Sequence, residues 1–152
     1  MKYVNCIINK KNSRLAFEEG MNLRDALFNA GYNSVRDSDN SEGFAGTDTV
    51  LVDDLPVFAN LMSPFQVENK EIRTAESLGD PRHLSIVQQA MVDAGIVQSA
   101  YNSPAAALLL TWLLEHEDNP TKEQIKDILS SIFIRDAGYE NYYLAVNLAV
   151  EM

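Results

Sequence analysis

The hydrophobic pattern changes character once, near residues 77–81, and this break constrains the fold more than any other feature of the sequence. Before it, short apolar alternations dominate. Residues 3–8 read as a strand, residues 9–13 as a polar turn and residues 14–18 as a weaker return strand, so a hairpin is expected. Asn22 then caps a helix whose apolar face is Leu23, Ala26, Leu27 and Ala30, with Asp25 in a box-like position and Gly31 as the stop. Residues 33–46 are a loop by composition. Residues 49–52 and 55–58 form a second hairpin about Asp53-Asp54, and residues 71–74 one more short strand. After the break the period is helical. Residues 84–94 carry Leu84, Val87, Ala90, Met91 and Ala94 on one side. Ser103 and Pro104 open a nearly all-apolar helix to about Glu115, Thr121 caps one that ends near Ser131, and residues 139–150 form the last. Four helices with short connections predict a small bundle, so the class is α+β in two parts.

Net charge is −10, from 22 acidic and 12 basic residues, and no basic stripe offsets it, which argues against nucleic acid and anionic lipid as partners. The longest apolar run, Ala105 to Leu114, is too short to span a bilayer, and the first residues lack the apolar core of a signal peptide. A cytoplasmic protein is expected. Cys6, alone, makes no internal disulfide and no multi-thiolate metal site, and its place in a strand alternation predicts a buried, inert thiol.

Landmarks along nearly the whole chain, residues 2–150, resemble the iron–sulfur subunits and N-terminal domains of xanthine dehydrogenase-type molybdenum hydroxylases. Ala45-Gly46-Thr47-Asp48-Thr49-Val50 stands where that family has Cys-Gly-Ala-Cys-Thr-Val, with Gly43 at its expected glycine. Gln88-Gln89-Ala90-Met91 resembles its Gln-Gln-Ala-Phe. Gln98-Ser99-Ala100-Tyr101-Asn102-Ser103-Pro104 occupies the place of Gln-Cys-Gly-Phe-Cys-Thr-Pro, and Leu129, Ser130, Arg135, Gly138 and Tyr139 survive from its last cysteine segment. The phrases Val35-Arg36-Asp37-Ser38-Asp39 and Arg135-Asp136-Ala137-Gly138 look like the selenium-dependent xanthine and hypoxanthine branch.

The resemblance implies a β-grasp, 2Fe-2S ferredoxin-like subdomain over residues 1–78 and a four-helix bundle over residues 79–152, each of which holds one cluster in the family. Here the positions matching the first cluster's cysteines are Asn40, Ala45, Asp48 and Asn60, and those matching the second are Ser99, Asn102, Ile134 and Asp136. None is cysteine, whereas such clusters are held by thiolates and sometimes imidazoles. The expectation is therefore a chain that binds no cofactor and no metal and is no enzyme by itself. It would serve as a structural or docking part of a molybdenum hydroxylase whose large subunit, or fused C-terminal domain, carries the molybdenum cofactor. The chain ends where a linker to that larger part is expected. Alternatives are a regulatory or assembly factor, and small-ligand or metal binding in the vacated sites. Asn40, Asp48, Asn60, Asn102 and Asp136 are expected to satisfy loop amides, and Ala45 and Ile134 to fill volume.

Other chemistry is weaker. Asp37, Asp39, Ser41 and Asp48 have a partial calcium-loop spacing, but Glu42 stands where that pattern requires glycine, and a self-bonded polar loop is expected instead. His116-Glu117-Asp118 reads as a solvated helix end. Ser103 is assigned a capping role, and Tyr139, Tyr142 and Tyr143, of which Tyr139 and Tyr143 share a helix face, are expected to pack in the core or an interface.

Overall fold

The computed structural model describes residues 1–96 and 101–152. Strands β1 (Lys2–Ile8) and β2 (Lys11–Phe17) form a hairpin with Val4 opposite Leu15 and Ile8 opposite Lys11. The turn is only Asn9-Lys10, shorter than the expected five residues. Both take left-handed φ, +50° and +66°, which a two-residue turn of this twist requires, so the ladder runs down to Lys11. Alternation decides the faces: Val4, Cys6 and Ile8 are buried and Tyr3 and Ile7 exposed. Helix α1 (Leu23–Asn29) starts where Asn22 Oδ1 accepts the Asp25 amide at 2.9 Å, and it sets Leu23, Ala26 and Leu27 on the sheet. Strands β3 (Thr49–Val52) and β4 (Leu55–Phe58) turn at Asp53-Asp54.

Strand β5 (Glu71–Arg73) inserts between the two hairpins, parallel to β1 and antiparallel to β3, to give the order β2-β1-β5-β3-β4. Cys6 lies in the core under this sheet, where burial pushes its thiol above the ordinary value.

Helices α2 (Ile86–Asp93), α3 (Ser103–His116), α4 (Lys122–Leu129) and α5 (Tyr139–Glu151) pack round a second apolar cluster. The capping box Ser85/Gln88 starts α2 two residues later than the periodicity suggests and leaves Leu84 outside and exposed. Thr121 and Gln124 box the start of α4 as expected, and α4 closes at Leu129 rather than near Ser131.

Helix α3 is buried on every side from Ala105 to Leu110 because it is shared. One side faces the other helices; its C-terminal half packs on the sheet. Trp112 Nε1 donates to the Asp54 carbonyl at 2.7 Å, and Arg73 forms a two-pronged ion pair with Glu115 at 2.7 and 2.8 Å. His116 lies at this joint. Its Nδ1 is 2.7 Å from the Trp112 carbonyl and its Nε2 3.0 Å from the Asp54 carboxylate. The carbonyl first, and the carboxylate with it, hold the imidazole above its usual range. No helix among the described residues is long and apolar enough to cross a membrane.

Candidate functional site

Two loops meet where the sheet half and the helical half join. The first is residues 33–48, between α1 and β3. Its organiser is Asp39, only 6% exposed, whose Oδ2 accepts the amides of Phe44 at 2.8 Å and Ala45 at 2.7 Å. Asp37 Oδ1 turns back onto the Ser41 amide at 2.9 Å. Burial pushes the Asp37 carboxyl up, but the Ser41 and Asp39 amides and the Arg24 charge more than offset that and leave it below the usual range. Asp48, 2% exposed, accepts the Asn60 amide at 2.6 Å. The carboxylates of the partial calcium pattern thus face main-chain amides, as a self-bonded loop requires, and no group of three or more His, Cys, Asp or Glu side chains suited to a metal ion occurs among the described residues.

The second loop is residues 130–138, between α4 and α5. The Phe133 amide donates to the Ala45 carbonyl at 2.7 Å, so the two loops are joined through their main chains. Gly46 passes so near that a Cβ there would lie 2.2 Å from the Ser131 carbonyl oxygen. Behind this junction Asn102 Nδ2 donates to Asp136 Oδ1 at 3.0 Å, the Tyr142 hydroxyl donates to the same oxygen at 3.2 Å, and Ser103 Oγ reaches Asp136 Oδ2 at 3.3 Å. Tyr142 is fully buried and Asn102 2% exposed. Burial first, then the Asp136 charge, push the Tyr142 phenol far above its ordinary value, so it stays a donor.

The structure therefore brings Asp48 and Asn60 together on one side and Asn102 and Asp136 together on the other, with Ala45 bonded to Asp39 and Phe133 between the loops. Ile134 packs on the helical core, and Ser99 lies outside the described residues. Four sequence expectations need correction. Asn40 is exposed at φ +53° and, among the described residues, holds no loop amide; Asp39, one residue earlier and pointing inward, does that. Asn60 accepts no amide either: its Oδ1 is buried without a partner, and it is the Asn60 main chain that is held. Asn102 and Asp136 bond each other and Tyr142 rather than loop amides. Ser103 is not a cap: it is the first residue of α3, and its hydroxyl turns to the Asp136 carboxylate, a charged and stronger acceptor. Tyr142 is buried in the core as expected, but sequence reasoning misses the partner of its hydroxyl, although a tyrosine on the same helix face as Ala145 and Val146 signals a buried hydroxyl in need of one.

Likeness to known proteins runs over nearly the whole chain, these loops included. Residues 74–147 match the family described as "[2Fe-2S] binding domain". Over 149 residues the chain is 32% identical to the nicotinate dehydrogenase small FeS subunit of Eubacterium barkeri, and covers 94% of it. The chain belongs to the small iron–sulfur subunits and domains of xanthine dehydrogenase-type molybdenum hydroxylases. It is also 50% identical over 143 residues to the probable hypoxanthine oxidase XdhD of Escherichia coli K12, a match that takes in 94% of this chain and 15% of that protein. Among solved structures, quinoline 2-oxidoreductase of Pseudomonas putida 86 superposes with a TM-score of 0.91 at 23% identity, over 99% of this chain and 94% of that one, and shares the fold. The aldehyde oxidoreductase of Desulfovibrio desulfuricans superposes with a TM-score of 0.90 at 25% identity, over 99% of this chain and 17% of that one.

The donor set here does not fit the group that names the family. Clusters of this kind need soft thiolate or imidazole donors. The single thiol, Cys6, is buried in β1, away from both loops. Ala45 and Ile134 offer no donor atom, Asp48 holds a main-chain amide, and the Asn102 and Asp136 side chains hold each other.

Asp48 makes a testable prediction. Burial, its largest influence, raises its pKa despite the Asn60 amide. The folded state therefore binds a proton more readily than the unfolded one, and stability associated with Asp48 is gained as pH falls through the raised native value and lost again above it. Asp48→Asn keeps an acceptor for the Asn60 amide and removes the buried charge. It is expected to match or exceed wild-type stability at pH 7, with that margin shrinking as pH falls below the native value. Asp48→Ala leaves the amide unpaired and costs about 1–3 kcal/mol. Urea denaturation of both variants between pH 4 and 7 measures this; an Asp48→Asn variant much weaker than wild type at pH 7 refutes it.

Proposed function

We propose that this chain is a non-redox structural and docking part of a xanthine dehydrogenase-type molybdenum hydroxylase, with Asn40, Ala45, Asp48, Asn60, Ser99, Asn102, Ile134 and Asp136 at the places of former cluster ligands. The observation that carries this reading is the Asn102–Asp136–Tyr142 knot, in which two of those positions are bonded to each other at 3.0 Å inside the protein. A closed hydrogen-bond network there stabilises the loop without any metal. On this reading the chain binds no cluster and passes no electrons. Residues 1–78 act as a β-grasp subdomain and residues 79–152 as a four-helix bundle, in keeping with their two separate apolar cores. Its partner is a cytoplasmic molybdenum-binding large subunit, or the remainder of a longer chain, as the 15% coverage of the hypoxanthine oxidase suggests.

A second reading rests on a cavity of ≈ 320 Å³ at the junction, lined by Asn40, Ala45, Asn102 and Arg135 among others, so that it touches both former sites. A small polar ligand could occupy it. Native purification from the source, with metal analysis and mass spectrometry of partners, separates the two. A molybdenum-containing chain in stoichiometric amount, with no iron on this one, supports docking. A chain that arrives alone, and whose melting temperature rises with hypoxanthine or a divalent cation, supports the ligand reading. A chain that arrives alone and responds to neither suits the transient regulatory or assembly factor, and iron on this chain overturns the proposal.

A further inference from the structure

His116 stands in the last turn of α3, and each of its ring nitrogens faces an oxygen that can only accept. Nδ1 is 2.7 Å from the Trp112 carbonyl, on its own helix. Nε2 is 3.0 Å from Asp54 Oδ2, in the turn between β3 and β4. A neutral imidazole carries a single N–H. It serves one of these oxygens and turns a lone pair on the other. Only the imidazolium donates to both. The arrangement is therefore that of a charged ring, and the C-terminus of a helix favours that charge.

The same residues hold the helical half to the sheet half. Trp112 Nε1 donates to the Asp54 carbonyl at 2.7 Å, and its indole lies against the imidazole with ring centroids 4.4 Å apart. His116 thus closes a loop of contacts from helix to turn and back. The other charges at this joint are engaged elsewhere or open to water. Glu115 is held by Arg73 at 2.7 and 2.8 Å, and Asp53 pairs with Lys70 at 3.7 Å. Glu117 and Asp118, next in the chain, are exposed. Lys10 and Glu71, of opposite sign, line the cleft of ≈ 400 Å³ beside Arg73 and Asp54. Asp54 is left as the carboxylate that meets the imidazole.

We infer that His116 is a proton-operated latch between the two halves: protonated, it ties the end of α3 to the β3–β4 turn, and on losing its proton it releases Asp54. The joint is then left to Trp112 and to the Arg73–Glu115 pair. The proton passes to solvent, since the ring is 41% exposed. The affinity for that proton points the same way. The Trp112 carbonyl first, and Asp54 after it, raise the imidazole above the ordinary histidine value of about 6.5. A group raised in the native state contributes in full below its unfolded value, and that contribution is lost as pH climbs through the native one. The latch is closed in mildly acid solution and opens as pH rises. This inference does not rest on the docking reading, and its test needs no partner.

Trp112 is the one tryptophan of the chain, so tryptophan emission reports on this joint alone. An imidazolium against an excited indole quenches it by accepting charge, and a neutral imidazole quenches far less. Emission of the full chain is followed from pH 5 to pH 9 for wild type, His116→Gln, Asp54→Asn and a control, His83→Gln. Amide protection factors are measured on either side of the midpoint. The expected emission rises through one titration in wild type and control, is flat in His116→Gln, and titrates at lower pH in Asp54→Asn. Above the wild-type midpoint, protection of the Asp53 and Glu117 amides, bonded to the Glu71 and Leu113 carbonyls, falls by at least about twofold. A flat wild-type curve, a step that survives His116→Gln, or a midpoint that Asp54→Asn leaves in place overturns the inference. So does a titration across which both protection factors stay constant, because His116 would then change charge without moving the joint.

Discussion

Gly46→Ala is expected to destabilise the chain by roughly 3–5 kcal/mol, a large share of the stability of a domain this size. Two physical effects add. Gly46 has φ +68°, where an alanine loses about 1–2 kcal/mol relative to glycine. The new Cβ would also stand 2.2 Å from the Ser131 carbonyl oxygen and 3.1 Å from the Phe58 ring. The oxygen belongs to a backbone that cannot rotate away, so the loops must part, and the 2.7 Å bond from the Phe133 amide to the Ala45 carbonyl is lost with them. Gly20→Ala isolates the first effect. Gly20 has φ +85°, but a methyl group added there would meet nothing within 4 Å, so only the backbone cost of about 1 kcal/mol applies. Urea midpoints of the two variants should differ accordingly. Equal losses would mean that the loops do not approach each other as described.

Asp136→Ala carries the second large effect, about 2–4 kcal/mol. It strands the Asn102 amide and the Tyr142 hydroxyl, which are left with only each other at 3.5 Å. Asp136→Asn retains an acceptor oxygen for one of them and should cost about half as much. The loss is expected to be local first, with faster amide exchange near residue 102 and through residues 136–142 before global unfolding is affected. A neutral Asp136→Ala would dismiss the knot as a stabilising feature and, with it, the observation on which the non-redox reading rests.

Much of this is legible in the sequence alone. Capping is a local code: Asn22, Ser85 and Thr121 sit one residue outside their helices because a side-chain oxygen three residues from an amide can reach it whatever the rest of the chain does. Ser103 shows where the code yields, since a carboxylate 33 residues away competes for the same hydroxyl. The Asn9-Lys10 turn reads as longer than it is because Lys10, unlike a glycine after Asn9, does not announce left-handed φ. In the site, residue identity suffices to show that the thiolates are missing. It does not distinguish Asn40 from Asp39, neighbours in one loop, of which one points to solvent and the other gathers two amides.

By itself, then, the sequence determined what depends on neighbours along the chain and on donor chemistry: the strand and helix periods, the caps, the stop at Gly31, and a ligand set without thiols. Only the tertiary structure decided what depends on distant segments meeting. Strand β5 enters between β1 and β3, all four residues of β3 are buried because α3 covers its second face, Gly46 abuts Ser131, and Asn102 finds Asp136. Those pairings follow from which apolar faces can be buried at once and which buried polar groups must then find partners, conditions that no local stretch of sequence contains.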